Sequence, residues 1–569
     1  MRVLSLIPGA ILLALPAAPQ SRTDPRIISI HPFTGQPGTT FVATARGSGL
    51  AGASAAYLGD VPFRITVEGV EPEPPANTGG KNKTPMDLVK LRIEVQAGAK
   101  PGRYPVRLIA RNGISNALPI HLVEFPVTPE PEGSHETQES AVSISSMPVV
   151  FAGRLARRGE ADYYAFEAQA GQTLTFEVIS GFPQIAAAGS AATIAAFDPS
   201  LSIYEAQGSW FDPKRLKRIA YNDEPVWVFG KPTDAHLVHR FTTAGTYLLR
   251  IEAFAGQGGP DYSYQLKIAP GSLPQNVSSA PKGWEERAWT RRLDADRLNQ
   301  LSVRGGKAAN QKTIETYRAA AEPATFKIPG TVEGALNQPG ETHRAKFHVE
   351  SPADIAIEVE TPAASSPFFN PIVRLLNESG EEAATNVFAG KGACSGALTK
   401  SLQSKTIVPL RNTGDYTLEI RDATADLAGP DFQYRVQVRP QIPHVGQVRI
   451  DSDNINLAPG AAKTIRIVFD REEDYRGAIT AFAESLPPGV SAAVGADFEP
   501  DKDPPLTEGK RERYTPRTER AVVVLSASAD APPTAEPSLA RLVVRPLVDG
   551  KLGDTLATKS LYVMVIPKP

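Results

Sequence analysis

Residues 151–178 read FAGRLARRGEADYYAFEAQAGQTLTFEV, and residues 332–359 read VEGALNQPGETHRAKFHVESPADIAIEV. Laid one over the other, Gly153 meets Gly334, Gly159 meets Gly340, Phe166 meets Phe347 and Val178 meets Val359, all at one spacing. The agreement resumes downstream. FDPSLSIYEAQG (197–208) meets FNPIVRLLNESG (369–380), GTYLLRI (245–251) meets GDYTLEI (414–420), and GGPDYSYQLKI (258–268) meets AGPDFQYRVQV (428–438). The spacing changes only between these blocks, where loops differ in length. One unit of about 110–120 residues is therefore present twice, and each copy is long enough to bury a core of its own.

Within each copy, short apolar–polar alternations are broken by Gly, Pro, Asn and Asp, the pattern of half-buried strands joined by turns. Asp261 and Asp431 read as caps of the repeated Gly-Pro-Asp turn. The rest of the chain follows the same punctuation. Residues 26–125 alternate over short runs and close with an Asn-Gly turn at 112–113. Residues 446–569 do the same, with Pro-Gly turns at 459–460 and 488–489. The stretch 126–146 is rich in Pro and Glu and poor in apolar residues, as a linker is. The copies themselves span 147–270 and 326–440. Between them, segment 271–325 contains a helix expected over 295–302, with Asp294 as its N-cap and Leu298 and Leu301 on one face. Trp284 and Trp289 precede it and are expected to pack against neighbouring domains, holding the copies in one relative orientation. The expected fold is all-β: a tandem array of β-sandwich domains, immunoglobulin-like and jelly-roll-like, with one short linker helix.

The blocks GRLARRGEADYYAFEAQAGQTLTFEV, DPSLSIYEAQG, IAYNDEP and AGTYLLRIEAFAG…YSYQLKI resemble the bacterial pre-peptidase C-terminal (PPC) domain across the whole first copy; the second copy aligns with the first. Pro32 with Gly38, GSGL at 47–50, YLGDVP at 57–62 and NGISNALPI at 112–120 resemble an IPT/TIG immunoglobulin-like domain. The stretch from 457 to 492 is similar to bacterial extracellular immunoglobulin-like repeats. The PPC resemblance implies a module of the kind found in clostridial collagen-binding domains and as appendages of secreted peptidases. Some such modules bind calcium.

Composition narrows the function classes. A formal net charge of −2 over 569 residues is not that of a protein built to neutralise nucleic-acid phosphates. Residues 1–21 carry one Arg, an apolar run and small residues, the pattern of a secretory signal peptide, so an exported, secreted, periplasmic or cell-surface protein is expected. No other apolar run is long enough to span a bilayer. The single cysteine, Cys394, cannot form an intramolecular disulfide, so these domains rely on their hydrophobic cores.

No His-Glu-x-x-His, Gly-x-Ser-x-Gly or phosphate-loop motif is present. In SHETQES (134–140) a His-Glu pair lacks a second His, and His236 and His239 fall on opposite faces of a strand. The candidate metal site is Asn222, Asp223 and Glu224, clustered oxygen ligands on a loop that suit calcium, with Asp198 and Asp162 as further oxygens. The plainer reading of the same residues is an Asn-Asp turn, which Pro225 favours. The second copy has ATNVFAG there, so a calcium site belongs to the first copy alone. The candidate ligand-binding residues are Trp210, Phe211, Trp227 and Phe229, loop aromatics that either form a recognition surface or fold over the sandwich end. The resulting expectation is an exported, non-catalytic binding or adhesion protein that recognises an extracellular polysaccharide or protein through sandwich-end loops. The alternatives are an accessory subunit or scaffold of a separately encoded secreted enzyme, and a peptidase-like enzyme with an unrecognised site.

Overall fold

The computed structural model describes residues 24–74, 85–181, 197, 199–206, 216–222, 235–253, 256–271, 323–361, 369–391, 398–423, 428–493, 517–548, 550–553 and 557–567. The described residues are all-β and contain no α-helix. The helix expected at 295–302, with Trp284 and Trp289, lies outside them.

Four separate apolar clusters mark four sandwiches, one around Leu91 and Leu108, one around Phe166 and Leu266, one around Phe347 and Val436, and one around Val523 and Leu542. Each is built by alternation: in Asp87–Val95, Val89, Leu91, Ile93 and Val95 point inward while Lys90, Arg92 and Glu94 face water.

The duplicated blocks fold alike. In the first copy one sheet runs, in spatial order, Val127–Pro129, Val149–Arg154, Ser263–Pro270, Thr173–Ser180, His236–Arg240. The facing sheet runs Val142–Ser143, Ala161–Ala168, Gly245–Ala253, Pro199–Ala206, Leu216–Asn222. The second copy repeats this order with Gly330–Ala335, Gln433–Pro440, Ala353–Glu360 and Lys405–Leu410 facing Ala324–Thr325, Thr342–Val349, Gly414–Asp422, Pro371–Leu376 and Glu382–Thr385. The shared Gly-Pro-(Asp) turn is closed identically by backbone bonds: Tyr262 N–H donates to Gly259 O at 3.1 Å, and Phe432 N–H to Gly429 O at 3.0 Å. Asp261 does not cap this turn. Its carboxylate reaches the first sandwich, accepting from Ser29 Oγ at 2.5 Å and Arg46 Nη1 at 2.8 Å.

Gly153 and Gly334 occupy the same place for the same reason. A Cβ on Gly153 would lie 2.3 Å from the Tyr264 ring, and one on Gly334 2.7 Å from the Tyr434 hydroxyl. Each strand opposite registers the tyrosine directly across from the glycine.

The stretch read as a linker is woven into the first copy. Val127–Pro129 pairs parallel with Val149–Arg154 on one sheet, and Val142–Ser143 pairs parallel with Ala161–Ala168 on the other. Short, Pro-containing edge strands carry too little apolar pattern to be read as strands.

Polar joints connect the sandwiches. Between the first and C-terminal sandwiches, buried Arg107 pairs with Asp453 at 2.5 Å and lies over the Tyr562 ring at 3.8 Å. Asn456 Oδ1 there accepts from Ile114 N–H at 2.9 Å while its Nδ2 donates to Ile114 O at 3.0 Å. Between the second copy and the C-terminal sandwich, Glu473, fully buried, takes Lys405 at 2.9 Å, Arg439, and the Ile442 N–H at 2.7 Å.

Gly153→Ala is expected to destabilise the first copy by about 1–3 kcal/mol, because the added methyl has no room against a ring held in a packed core. Denaturant unfolding of the full chain, followed by a probe in that copy, measures the shift.

Candidate functional site

The only group of three metal-competent side chains among the described residues is Glu130, His135 and Asp162, whose ligand atoms lie within 4.8 Å of one another. Asp162 and Tyr164 alternate inward from Ala161–Ala168, Tyr264 enters from Ser263–Pro270 over Gly153, and Glu130 and His135 come from the woven linker. The linker is held there by backbone bonds, Glu130 N–H to Ala152 O at 3.1 Å and Tyr163 N–H to His135 O at 2.9 Å.

The side chains form one network. His135 Nε2 lies 2.7 Å from Glu130 Oε1 and 3.4 Å from Asp162 Oδ1. The Tyr264 hydroxyl lies 2.7 Å from Asp162 Oδ2 and 2.8 Å from Glu130 Oε1, and 2.8 Å from the Tyr164 hydroxyl, which is itself 3.2 Å from Glu130 Oε1. Glu130 Oε2 accepts the Arg154 N–H at 2.9 Å. Asp162 is completely buried, as is Tyr164, and His135 is 7% exposed.

Electrostatics follow from this burial. The hydrogen bond with Asp162, opposed by burial and reinforced by Glu130, pushes the His135 imidazole up to about 9, so it is a cation at neutral pH. Burial, eased by the bond to His135 and sharpened by Glu130, pushes the Asp162 carboxyl up to about 6. Proton counting agrees with a raised Asp162. The Tyr264 oxygen sits at hydrogen-bond distance from two carboxylates and one phenol, yet a neutral phenol has one proton to give. Below about pH 6 a proton on Asp162, donated to Tyr264, lets Tyr264 donate to Glu130; above it Tyr264 donates to one carboxylate and His135 offsets the pair.

Calcium does not suit this donor set. Calcium takes six to eight oxygens, and here an imidazole stands among two carboxylates. A mixed nitrogen–oxygen set suits zinc-like ions better, and such an ion would have to displace the imidazole proton, so its binding would strengthen as pH rises. The imidazolium is itself the counter-ion of the two acids.

The second copy meets the same demand differently. His343 stands where Asp162 does, its Nδ1 2.6 Å from the Tyr434 hydroxyl and its Nε2 2.9 Å from Glu341.

Of the residues expected from sequence, Asn222 is described. It ends Leu216–Asn222, is buried, and its Oδ1 has no hydrogen-bond partner. Its counterpart Asn386 ties strands together, accepting from Val373 N–H at 2.8 Å and donating to Pro371 O at 3.0 Å. Asp223, Glu224, Trp210, Phe211, Trp227 and Phe229 lie outside the described residues, as do Asp198 and Cys394. The strand Leu216–Asn222 lies in sequence between the two segments that carry these aromatics, 207–215 before it and 223–234 after it. Their anchors are thus at opposite ends of the sandwich, about 20 Å apart for seven strand residues. The Asn222 end is the one that meets the first sandwich, where Phe33 packs on Gly181. His236 and His239 lie on one strand, and burial lowers both.

No protein-family model matches the chain, and no curated protein matches it. Among solved structures, the pre-peptidase C-terminal domain of a Bacillus anthracis collagenase is 18% identical, covering 21% of this chain and 99% of that one, at a TM-score of 0.15. A Bacteroides ovatus mixed-linkage glucan utilization locus protein, SGBP-B, is 9% identical, covering 73% of this chain and 74% of that one, at 0.14. Domains 4 and 5 of the S-layer protein SbsC are 9% identical, covering 33% and 98%, at 0.14. Likenesses of this size carry no inference about what this chain binds.

His135→Gln is expected to destabilise the first copy by about 3 kcal/mol at neutral pH, because it leaves Asp162 buried without its cation. The imidazole is raised from 6.5 to about 9, so the stability it contributes is complete below pH 6.5 and fades as pH rises through 9. The loss should therefore be larger at pH 6 than at pH 9, and unfolding titrations at both pH values check the sign.

Proposed function

We propose that the chain is a non-catalytic binding protein of the cell exterior that recognises a polysaccharide or protein through the end of the first PPC-like copy distal to the first sandwich. The observation that carries this reading is the position of the strand ends that flank the aromatic residues in sequence. The first sandwich occupies the Asn222 end through Phe33, Thr34 and Arg46, while Ala206 and Leu216, which flank Trp210 and Phe211 in sequence, pair with each other at the other end. Aromatic residues suit the flat apolar faces of sugars and extended peptides. The export signal expected at 1–21 and the PPC resemblance support the same reading. The acid–histidine cluster, level with Asn222 and so at the opposite end, acts as a clip that holds the woven strands to the sandwich.

The test is retention of the purified full chain on insoluble cellulose, chitin, xylan and denatured collagen. Trp210→Ala is expected to weaken retention on the bound matrix at least tenfold (about 1.4 kcal/mol or more) with an unchanged melting temperature. Trp227→Ala is expected to leave retention unchanged. Equal losses in both variants, or no retention on any matrix, would contradict the proposal.

A further inference from the structure

The joint between the first sandwich and the first copy holds two histidines. His31 ends Arg26–His31, and its Nδ1 is buried without a hydrogen-bond partner. His121, 6% exposed, lies on Leu118–Leu122, edge-on to Phe33 at 4.9 Å. Across the joint, Phe33 covers Gly181, Thr34 Oγ1 donates to Gln265 Oε1 at 3.1 Å, and the same Gln265 hydrogen-bonds His121.

The charges that face these rings have the wrong sign for an imidazolium. His31 faces Arg154 of the first copy, whose Nε is also buried and unpartnered. His121 faces Arg103, its direct cross-strand neighbour. The acid of this joint, Asp261, is engaged by Arg46 and Ser29, and Arg46 is shared with Glu73. A closed joint therefore requires both imidazoles neutral.

We propose that this joint is an acid-released hinge, closed at neutral pH and opened by protonation of His31 and His121, which frees the first copy to swing away from the first sandwich.

The sign and size follow from linkage. Burial, with Arg154 adding, holds His31 down at about 4, and burial, with Arg103 adding and Gln265 opposing, holds His121 at about 4, against 6.5 when solvated. The open form binds protons more tightly, so acid favours it. From pH 7 to pH 5 the opening equilibrium rises by about 20-fold per histidine and by about 400-fold for the pair. The rise flattens below the closed-state values.

The experiment uses the full chain in a Cys394→Ser background, spin-labelled at Thr66→Cys in the first sandwich and Glu167→Cys in the first copy, both exposed. Double electron–electron resonance at steps from pH 7.5 to 4.5 reads the fraction of molecules with a lengthened or broadened distance. The expected result is a growing open population with two-proton steepness, while far-ultraviolet circular dichroism stays native. The double variant His31→Gln/His121→Gln should remove the pH dependence. Arg154→Ala, which keeps both histidines, should shift opening to more acid pH. A distance distribution unchanged down to pH 4.5, or an equal pH response in the double variant, would overturn the proposal. If the double variant does not fold, an unshifted midpoint in Arg154→Ala would do so.

Discussion

A tyrosine side chain crossing a glycine sets the terms for both copies. Tyr264 can cross Gly153, and Tyr434 can cross Gly334, only because no Cβ stands there. The ring buries well, but it carries a hydroxyl into the core, and a buried hydroxyl without a partner is costly. Each copy must then bring a partner inside. The first brings two acids, and burying two acids demands a cation. His135 supplies it, and His135 and Glu130 both lie on the woven linker. Docking of that linker is thus the consequence of a packing choice in the core. The second copy answers with one histidine from its own strand and a carboxylate two residues before it.

The same economy of buried charge governs how the sandwiches meet. Glu473, fully buried, is held well below the usual carboxylate range, at about 2: burial opposes this, and Arg439, the Ile442 N–H and Lys405 overcome it. Arg107 is buried on one side by Asp453 and on the other by Tyr562. These joints place the C-terminal sandwich against both the first sandwich and the second copy, while the first copy rests on the first sandwich. Neighbours in space are not only neighbours in sequence. The joint that holds two buried histidines differs from the other two, which are built on ion pairs.

The duplication was legible because it rests on residues with few substitutes: glycines under rings, a Gly-Pro turn, and core phenylalanines at fixed register. The all-β array followed from alternation and turn chemistry. The site was less legible. His135 stands next to Glu136 in sequence, yet its partners are Glu130 and Asp162. The partner of Asp162, Tyr264, lies on a strand about a hundred residues away, so only the fold brings the two together. The woven strands are not legible in the sequence because edges of two or three residues in a Pro- and Glu-rich stretch have the composition of a linker. Asp261 looked like a turn cap, but backbone bonds close that turn and leave its carboxylate for Arg46.

The account rests on His135 being the cation of a buried acid pair, and the protonation state of that ring is measurable. Nitrogen-15 and proton chemical shifts of the His135 imidazole, followed in metal-free protein from pH 5 to pH 10, report it directly. The account predicts an imidazolium through pH 8 that titrates near 9. A ring that loses its proton at or below the ordinary histidine value of about 6.5 would contradict it.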